Sequence, residues 1–222
     1  MKKSLLLLGS ISLLLAKENP VTLQYTGVSV HLEQNRTIKV ERVQERECLD
    51  IAISPENIFG KEKIDQFKRC IRKVFTTLGT VQPMQIAPGI KTVGEIELLS
   101  FLKKKEKSPS QYILIDSRKE IWYKKLTIPS SVNIPYNEIA YDPDFPEEHQ
   151  RLLKLLKIQK TKNGYDFSNA KSVLLFCNGA WCEQSPRAIR ILLEMGYPKA
   201  KILWYRGGLQ DWLSMGFRGV KP

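Results

Sequence analysis

The sequence predicts an α/β protein in which helices cover a mostly parallel central sheet. Short apolar runs typical of buried strands occur at 112–115, 172–176 and 201–204. Segments whose apolar residues follow helical spacing separate these runs. Strands that alternate with helices are joined by crossover connections, which place the strands parallel in one sheet. The amino-terminal part lacks this regular alternation, so we expect a small α+β region there.

The amino-terminal region predicts two strands followed by a helix. Apolar residues alternate in patches between 20 and 43, which favours two strands and suggests a hairpin. Between 61 and 78 the apolar residues keep helical spacing, and a glycine follows as a natural end. Two prolines within 82–89 indicate a linker or an irregular crossing. We therefore divide the chain after its leader into a region of unknown role at 17–89 and an α/β domain at 90–222.

Helix start signals organise the second half of the chain. Thr92 and Glu95 form a capping box, and apolar residues continue from there toward the lysines at 103–107. Ser185 is interpreted as the N-cap of a later helix, with Pro186 at its first position. The remaining predicted segments are helices near 147–156, 185–195 and 209–215 and a loop at 164–171.

Residues 1–16 have the pattern of a secretory signal peptide. Two lysines precede an apolar stretch at 4–15, and Ala16 offers a small residue at the cleavage point. A bilayer span needs about 20 apolar residues, so this stretch is too short. We expect export to the periplasm and no stable membrane span after processing. An uncleaved anchor is the alternative, because Leu14 lies where a smaller residue is preferred.

The chain is strongly basic, with 35 Lys and Arg against 23 Asp and Glu and a formal net charge of +12. Such an excess suits nucleic acid, a membrane surface or small anionic substrates. The lysines are dispersed, and the obvious cluster at 103–107 ends a predicted helix, where cations complement the dipole. We interpret most of them as a solvated surface. We expect no nucleic-acid partner and keep small anions as candidate substrates.

The four cysteines form an even set, and an oxidising compartment permits disulfides. Cys48 and Cys70 fall early in the chain, whereas Cys177 and Cys182 fall late. Pairing within each half is the simplest of three connectivities. A disulfide between Cys48 and Cys70 would attach the predicted helix to the preceding segment, and two separate buried thiols are the alternative. No compact ligand spacing is present, so we expect no metal and no other cofactor.

Cys177 is the most informative residue of the chain. It follows the apolar run 172–176, which predicts a buried strand, and a short loop leads from it to the helix predicted at Ser185. Ligands of open α/β sheets bind at the carboxyl ends of the strands, and a helix N-terminus favours a thiolate or an anion. Cys177 is therefore a candidate sulfur nucleophile. The alternative is an inert buried cysteine.

Four motifs along the second half carry a family resemblance. They are Leu-Ile-Asp-Ser-Arg at 114–118, Ile-Pro-Ser-Ser-Val-Asn-Ile-Pro at 128–135, Leu-Phe-Cys at 175–177 and Tyr-Arg-Gly-Gly-Leu-Gln-Asp-Trp at 205–212. In this order they resemble the rhodanese (sulfurtransferase) domain, from about 90 to 220. The resemblance implies a compact rhodanese-like α/β domain. The Cys-Asn-Gly-x-Trp-Cys loop resembles an exported bacterial subgroup.

The resemblance implies that Cys177 accepts a sulfane sulfur as a persulfide and passes it to a thiol or to cyanide. The donor would be a small anion such as thiosulfate, polysulfide or a persulfide. Asp116 and Arg118 would support the neighbouring loop as a charged pair. The loop residues expected to cradle the anion or the persulfide are Asn178, Gly179, Ala180, Trp181, Glu183, Gln184 and Ser185.

Cys182 departs from the usual family pattern, as does a loop longer than the common one. Cys182 has three readings: a resolving or regulatory thiol that attacks a persulfide on Cys177, a partner in a stable disulfide, or a bystander. Leu126 and Thr127 also replace the Gly-His pair usual in the family. One sequence does not choose among the three roles of Cys182.

Two other function classes compete with sulfur transfer. The domain could be a noncatalytic module that docks a protein partner, with 17–89 supplying the interface. Alternatively, Cys177 and Cys182 could form a thiol-disulfide redox pair, although four residues separate them. A phosphatase is disfavoured, because the arginine it needs shortly after the cysteine is absent and Arg187 lies inside the predicted helix.

Overall fold

The structure is a computed structural model, which describes residues 27–32, 35–41 and 80–222. The predicted signal peptide at 1–16, the helix at 61–78 and the pairing of Cys48 with Cys70 lie outside these residues. The described residues include no helix that is long and apolar enough to cross a membrane.

A five-stranded sheet forms the centre of the domain. Its strand order is β3-β9-β8-β4-β5, and every neighbouring pair is parallel, which confirms the predicted α/β fold. The strands are β3 (Lys91–Val93), β4 (Tyr112–Asp116), β5 (Ser131–Asn133), β8 (Ser172–Phe176) and β9 (Ile202–Tyr205).

Helices cover both faces of the sheet, and two antiparallel hairpins complete the described chain. The helices are α1 (Glu95–Lys107), α2 (Glu120–Lys125), α3 (Pro146–Leu156), α4 (Gln184–Glu194) and α5 (Gly208–Ser214), with short 3-10 turns at Tyr136–Glu138 and Lys199–Lys201. The hairpins pair β1 (Val28–His31) with β2 (Thr37–Val40) and β6 (Gln159–Thr161) with β7 (Gly164–Asp166).

Strand β8 holds the core together because both of its faces are buried. Leu174 and Phe176 contribute to one hydrophobic cluster, and Val173 and Leu175 contribute to the cluster on the opposite face. All four side chains are completely buried. The strand lies between β9 and β4, so its carboxyl end delivers Cys177 to the middle of the sheet edge.

The hairpin β1-β2 packs on the α/β domain. Val28, Val30 and Val40 are buried in the same cluster as Leu98 and Leu102 of helix α1. A hairpin does occur within the range 20–43, but its first strand is Val28–His31, and residues 20–26 lie outside the described residues. Strand β1 begins directly after Gly27. Its residues alternate between buried and exposed, and its two valines are on the buried face.

Two of the predicted helix starts are wrong by a few residues. Helix α1 is capped at Gly94, whose amide donates to the Glu97 carboxylate at 3.0 Å, so Thr92 is not the cap. Thr92 instead belongs to β3, whose parallel pairing with β9 the local sequence does not reveal. Helix α4 begins at Gln184, and Ser185 therefore lies in its first turn.

Other elements were missed in the turn-rich stretches. Helix α2 has no buried residue, so it lacks the apolar stripe on which helix prediction depends. Strand β5 is only three residues long. Strand β6 is exposed and strand β7 is half-buried at Tyr165 and Asp166; β7 replaces part of the loop predicted at 164–171.

We expect Leu174→Ala to reduce the free energy of unfolding by about 2–5 kcal/mol, because Leu174 is completely buried and its truncation leaves a cavity. Urea unfolding followed by circular dichroism measures the change. The control is Ile121→Ala, whose side chain is 71% exposed, and for it we expect a change within about 0.5 kcal/mol. Equal losses in the two variants would contradict the central role of β8.

Candidate active site

The candidate site lies where strand β8 ends and loop 178–183 begins. The first turn of α5 holds this loop in place with two backbone hydrogen bonds. The amide of Leu209 donates to the carbonyl oxygen of Cys177 at 2.9 Å, and the amide of Gln210 donates to the carbonyl oxygen of Asn178 at 2.8 Å. Gly208 makes this approach possible, because its φ is +59° and a Cβ atom there would lie 2.4 Å from the Cys177 carbonyl oxygen.

Cys177 is a free thiol that is almost completely buried. The Ser185 hydroxyl donates to its sulfur at 3.1 Å, and that hydroxyl accepts from Nε1 of Trp204 at 3.0 Å. The thiol itself donates to the carbonyl oxygen of Cys182 at 3.3 Å. Burial raises the pKa of Cys177 well above its ordinary value, the neighbouring Cys182 adds to this rise, and Ser185 opposes it.

Cys182 is also a free thiol, but its surroundings favour the charged form. The hydrogen bond from the Cys177 thiol lowers the pKa of Cys182 to about 7. The backbone amides of Asn178 and Gln184 and the charge of Arg118 act in the same direction, and burial opposes them. As the pH rises through about 7, Cys182 therefore loses its proton before Cys177 does.

The buried Asp116–Arg118 pair contacts the loop through Asn178. The Arg118 guanidinium donates to both carboxylate oxygens of Asp116, with a shortest distance of 2.6 Å. It also donates to Oδ1 of Asn178 at 3.2 Å and to the carbonyl oxygen of Leu126 at 2.6 Å. Thr127, at the position of the usual histidine, donates its hydroxyl to Asp116 at 2.7 Å.

The middle of the loop is held by side-chain contacts. Nε1 of Trp181 donates to Oε1 of Gln210 at 2.7 Å. A Cβ atom at Gly179 would lie 2.9 Å from the same oxygen, so a glycine fits this close approach. Glu183 lies at the solvent side and forms an ion pair with Arg187 at 2.7 Å.

Residues 80–84 form a strap that crosses the loop. The amide of Gln82 donates to the carbonyl oxygen of Ala180 at 2.7 Å. The Arg206 guanidinium donates to the carbonyl oxygen of Gln82 through Nε at 2.9 Å and Nη2 at 2.8 Å. The Thr92 hydroxyl donates to the carbonyl oxygen of Met84. The strap therefore joins the segment before the α/β domain to the loop, which the sequence did not indicate.

Ser117 is a site residue that sequence reasoning missed. Its amide donates to the carbonyl oxygen of Phe176 at 3.0 Å, so the strand register places it beside Cys177. The Ser117 hydroxyl is buried and has no hydrogen-bond partner among the described residues. An unpaired buried hydroxyl is costly, and it can donate to an added sulfur atom. Its position directly before Arg118 in the first motif was the available signal.

The structure thus brings together the residues from 177 to 185 with Asp116 and Arg118. Ser185 belongs to helix α4 and reaches Cys177 from there. Within the described ranges, no group of three or more His, Cys, Asp or Glu side chains is arranged to hold a metal ion. Cys48 and Cys70 lie outside the described residues, so their pairing stays a prediction.

The described chain is a parallel α/β domain with a cysteine at the carboxyl end of its central strand. Comparison of the sequence with known protein families identifies this class. The rhodanese-like domain matches residues 98–215, which is more than half of the chain, and the chain belongs to this family.

Sequence identity to individual known proteins is low. The chain is 30% identical over 136 residues to an adenylyltransferase and sulfurtransferase, MOCS3, of Arabidopsis thaliana, and the match covers 60% of this chain. It spans only 26% of the length of that relative.

Similar solved structures include the human single-domain sulfurtransferase TSTD1, at 23% identity and a TM-score of 0.35, with 55% of this chain and 94% of that chain covered. A rhodanese with anions from E. coli is 25% identical with a TM-score of 0.33, and 50% of this chain and 99% of that chain are covered.

We expect Arg118→Met to destabilise the domain by about 3–5 kcal/mol, because it leaves the Asp116 carboxylate buried without its charge partner. Urea unfolding measures the loss. The matched control is Lys124→Met, which removes a partner of the exposed pair Glu120–Lys124 and should cost about 0.3–0.5 kcal/mol. A loss below 1 kcal/mol for Arg118→Met would show that the buried pair is not needed.

We expect Gly208→Ala to destabilise the protein by about 1–3 kcal/mol and to change the alkylation rate of the loop thiols, because the new Cβ collides with the loop backbone. Gly196→Ala is the control, since Gly196 also has a positive φ of +90° but its Cβ would meet only an ordinary contact at 3.5 Å. That variant should lose stability without a change in thiol reactivity. Iodoacetamide kinetics separate the two cases.

Proposed function

We propose that the protein is a sulfurtransferase or sulfane-sulfur carrier that holds a persulfide on Cys177 and passes it to a thiol or to cyanide. The supporting observation is the site itself. The Cys177 thiol lies at the end of the central strand and interacts with the thiol of Cys182, whose pKa is lowered. Membership of the rhodanese-like family and the sulfurtransferase named among the relatives support the same class of reaction.

The contacts of Cys177 suit a persulfide. A second sulfur atom on Cys177 would extend the chain beyond a sulfur that already accepts from the Ser185 hydroxyl. The unpaired Ser117 hydroxyl beside it is an available donor for the outer sulfur. The substrate-free site thus has one donor that the resting thiol does not use.

Discharge of the persulfide returns the site to its starting state. Cyanide or an acceptor thiolate attacks the outer sulfur, the bond between the two sulfur atoms breaks, and the electron pair returns to Cys177. The products are thiocyanate or a persulfide of the acceptor. The small anionic donor and the thiol acceptor belong to this proposal, as does a periplasmic location, for which the leader-like residues 1–16 are the support.

The contact between the two thiols favours one second candidate, a thiol-disulfide redox protein. Cys177 and Cys182 are both free and lie within hydrogen-bond contact, so their oxidation to a disulfide is a short step. In this activity the two thiols would reduce a disulfide substrate to two thiols by exchange, so the protein would lose two hydrogen atoms and gain no sulfur. Mass spectrometry therefore separates the two candidates in one measurement.

We expect the reduced protein to gain the mass of one sulfur atom when it is incubated with thiosulfate, and to release that sulfur as thiocyanate when cyanide is added. Intact-mass spectrometry follows the gain, and peptide mapping after alkylation locates the final persulfide on Cys177. The thiolate fraction of the pair is sufficient for this at neutral pH.

The double variant Cys177→Ser/Cys182→Ser is the control and should gain no sulfur at this site. It retains Cys48 and Cys70, so it also reports any background reaction there. If the unsubstituted protein gains no sulfur from thiosulfate or polysulfide, or gains it only at the two early cysteines, the sulfurtransferase proposal is wrong.

A further inference from the structure

We infer that Cys182 is the residue that first takes the sulfur atom from the donor, and that it then hands the atom to Cys177. The two thiols form a relay in which the attacking residue differs from the one that stores the sulfur. This inference rests on the proposed sulfur-transfer function. It assigns the first step of that function to Cys182 and not to the cysteine at the end of the strand.

The hydrogen-bond donors of the loop converge on Cys182. The side-chain Nδ2 of Asn178 donates to its sulfur at 4.0 Å, and the backbone amides of Asn178 and Gln184 contribute to lowering the pKa of this thiol. Arg118 fixes the orientation of that side chain by donating to its Oδ1 at 3.2 Å. The positive charge of Arg118 acts on the Cys182 sulfur as well. Such a set of donors around one sulfur is the arrangement that stabilises a thiolate.

Cys177 has the opposite surroundings. It is 1% exposed, against 5% for Cys182, and its thiol proton is directed at acceptors in Cys182. Its strongest polar contact, the Ser185 hydroxyl, is itself fixed by Trp204 inside the core. Cys177 therefore keeps its proton, while Cys182 carries the charge. The thiolate is the reactive form of a cysteine, so attack on a donor begins at Cys182.

The first step with thiosulfate balances without a further reagent. The Cys182 thiolate attacks the outer sulfur of thiosulfate, and a bond forms between that atom and Sγ of Cys182. The bond between the two sulfur atoms of thiosulfate breaks, and its electron pair leaves with sulfite. The product is a persulfide anion on Cys182, and the total charge is unchanged.

The second step moves the same sulfur atom inward. Sγ of Cys177 attacks the outer sulfur of the Cys182 persulfide, and the Cys177 proton moves to that outer sulfur. The bond from the outer sulfur to Cys182 breaks, and its electron pair returns to Cys182 as a thiolate. The site then holds a neutral persulfide on Cys177, and Cys182 is again a thiolate. A neutral product suits the buried position of Cys177, where charge is disfavoured.

The decisive experiment follows the reaction of the unsubstituted, reduced full-length protein with thiosulfate in time. Samples are quenched with iodoacetamide, and peptide mapping assigns the alkylated persulfide to a cysteine. We expect label on Cys182 at the earliest times and on Cys177 later. Label on Cys177 from the first sample, with none on Cys182, overturns the relay.

Two matched hydroxyl variants test the same assignment through rates. Cys182→Ser should slow sulfur uptake at pH 7 by at least ~10-fold, because the remaining thiol has a strongly raised pKa. In Cys177→Ser, the sulfur that is taken up should stay on Cys182, because the second step has lost its acceptor thiol while a serine hydroxyl can still donate to the Cys182 sulfur. Equal uptake rates in Cys182→Ser and the unsubstituted protein overturn the inference.

Alkylation profiles give a readout that a purely structural role would not move. In Cys177→Ser, the reaction of Cys182 with iodoacetamide should reach its midpoint at a clearly lower pH than the reaction of Cys177 in Cys182→Ser. A reversed order contradicts the relay. Sulfur uptake by the unsubstituted protein with this reversed order leaves the sulfurtransferase proposal intact, while no uptake at either thiol removes both.

Discussion

The buried ion pair between Asp116 and Arg118 is the interaction on which the site depends. A charge removed from water costs several kcal/mol unless a partner and hydrogen bonds compensate it. Here the compensation extends to three connections: Arg118 binds the Leu126 carbonyl, and Asn133 donates to the carbonyl oxygens of both residues of the pair at 2.9 and 2.8 Å. Through Asn178 the same guanidinium reaches the cysteine loop. The loop after β8 is therefore ordered by a network centred on the neighbouring strand β4.

This network also decides where charge is stable. Burial raises the pKa of Cys177, the hydrogen bond from Cys177 lowers that of Cys182, and the charge of Arg118 adds a smaller effect in the same direction on Cys182. The interior of the sheet edge favours a neutral group, whereas the loop amides and Arg118 favour an anion. Depth in the protein and protonation state are coupled in this pair. A family that needs only one cysteine at the strand end can thus accommodate a second one without placing two negative charges side by side.

Local patterns predicted the strand before Cys177 well, because an apolar run followed by a polar loop depends only on neighbouring residues. The cap of α1 was misplaced because Thr92–Glu95 and Gly94–Glu97 offer the same signal, and only the long-range pairing of β3 with β9 chooses between them. The contact from Arg118 to Asn178 joins residues 60 positions apart. The sequence pattern therefore predicted Cys177 as the candidate nucleophile with Asp116 and Arg118 beside it, but it did not indicate the contacts that lower the pKa of Cys182.

The contacts of Trp204 connect its fluorescence to the state of the site. Its indole nitrogen donates to Ser185, whose hydroxyl donates in turn to the Cys177 sulfur, so the ring lies two hydrogen bonds from the atom that changes during turnover. Trp204 and Trp212 are 1% and 0% exposed, whereas Trp122 is 47% exposed, so an external quencher reduces the emission of Trp122 more than that of the two buried rings. Indole emission responds to the polarity of the group bound at its nitrogen. The chain thus contains an intrinsic fluorophore through which sulfur loading can be followed in real time without a dye.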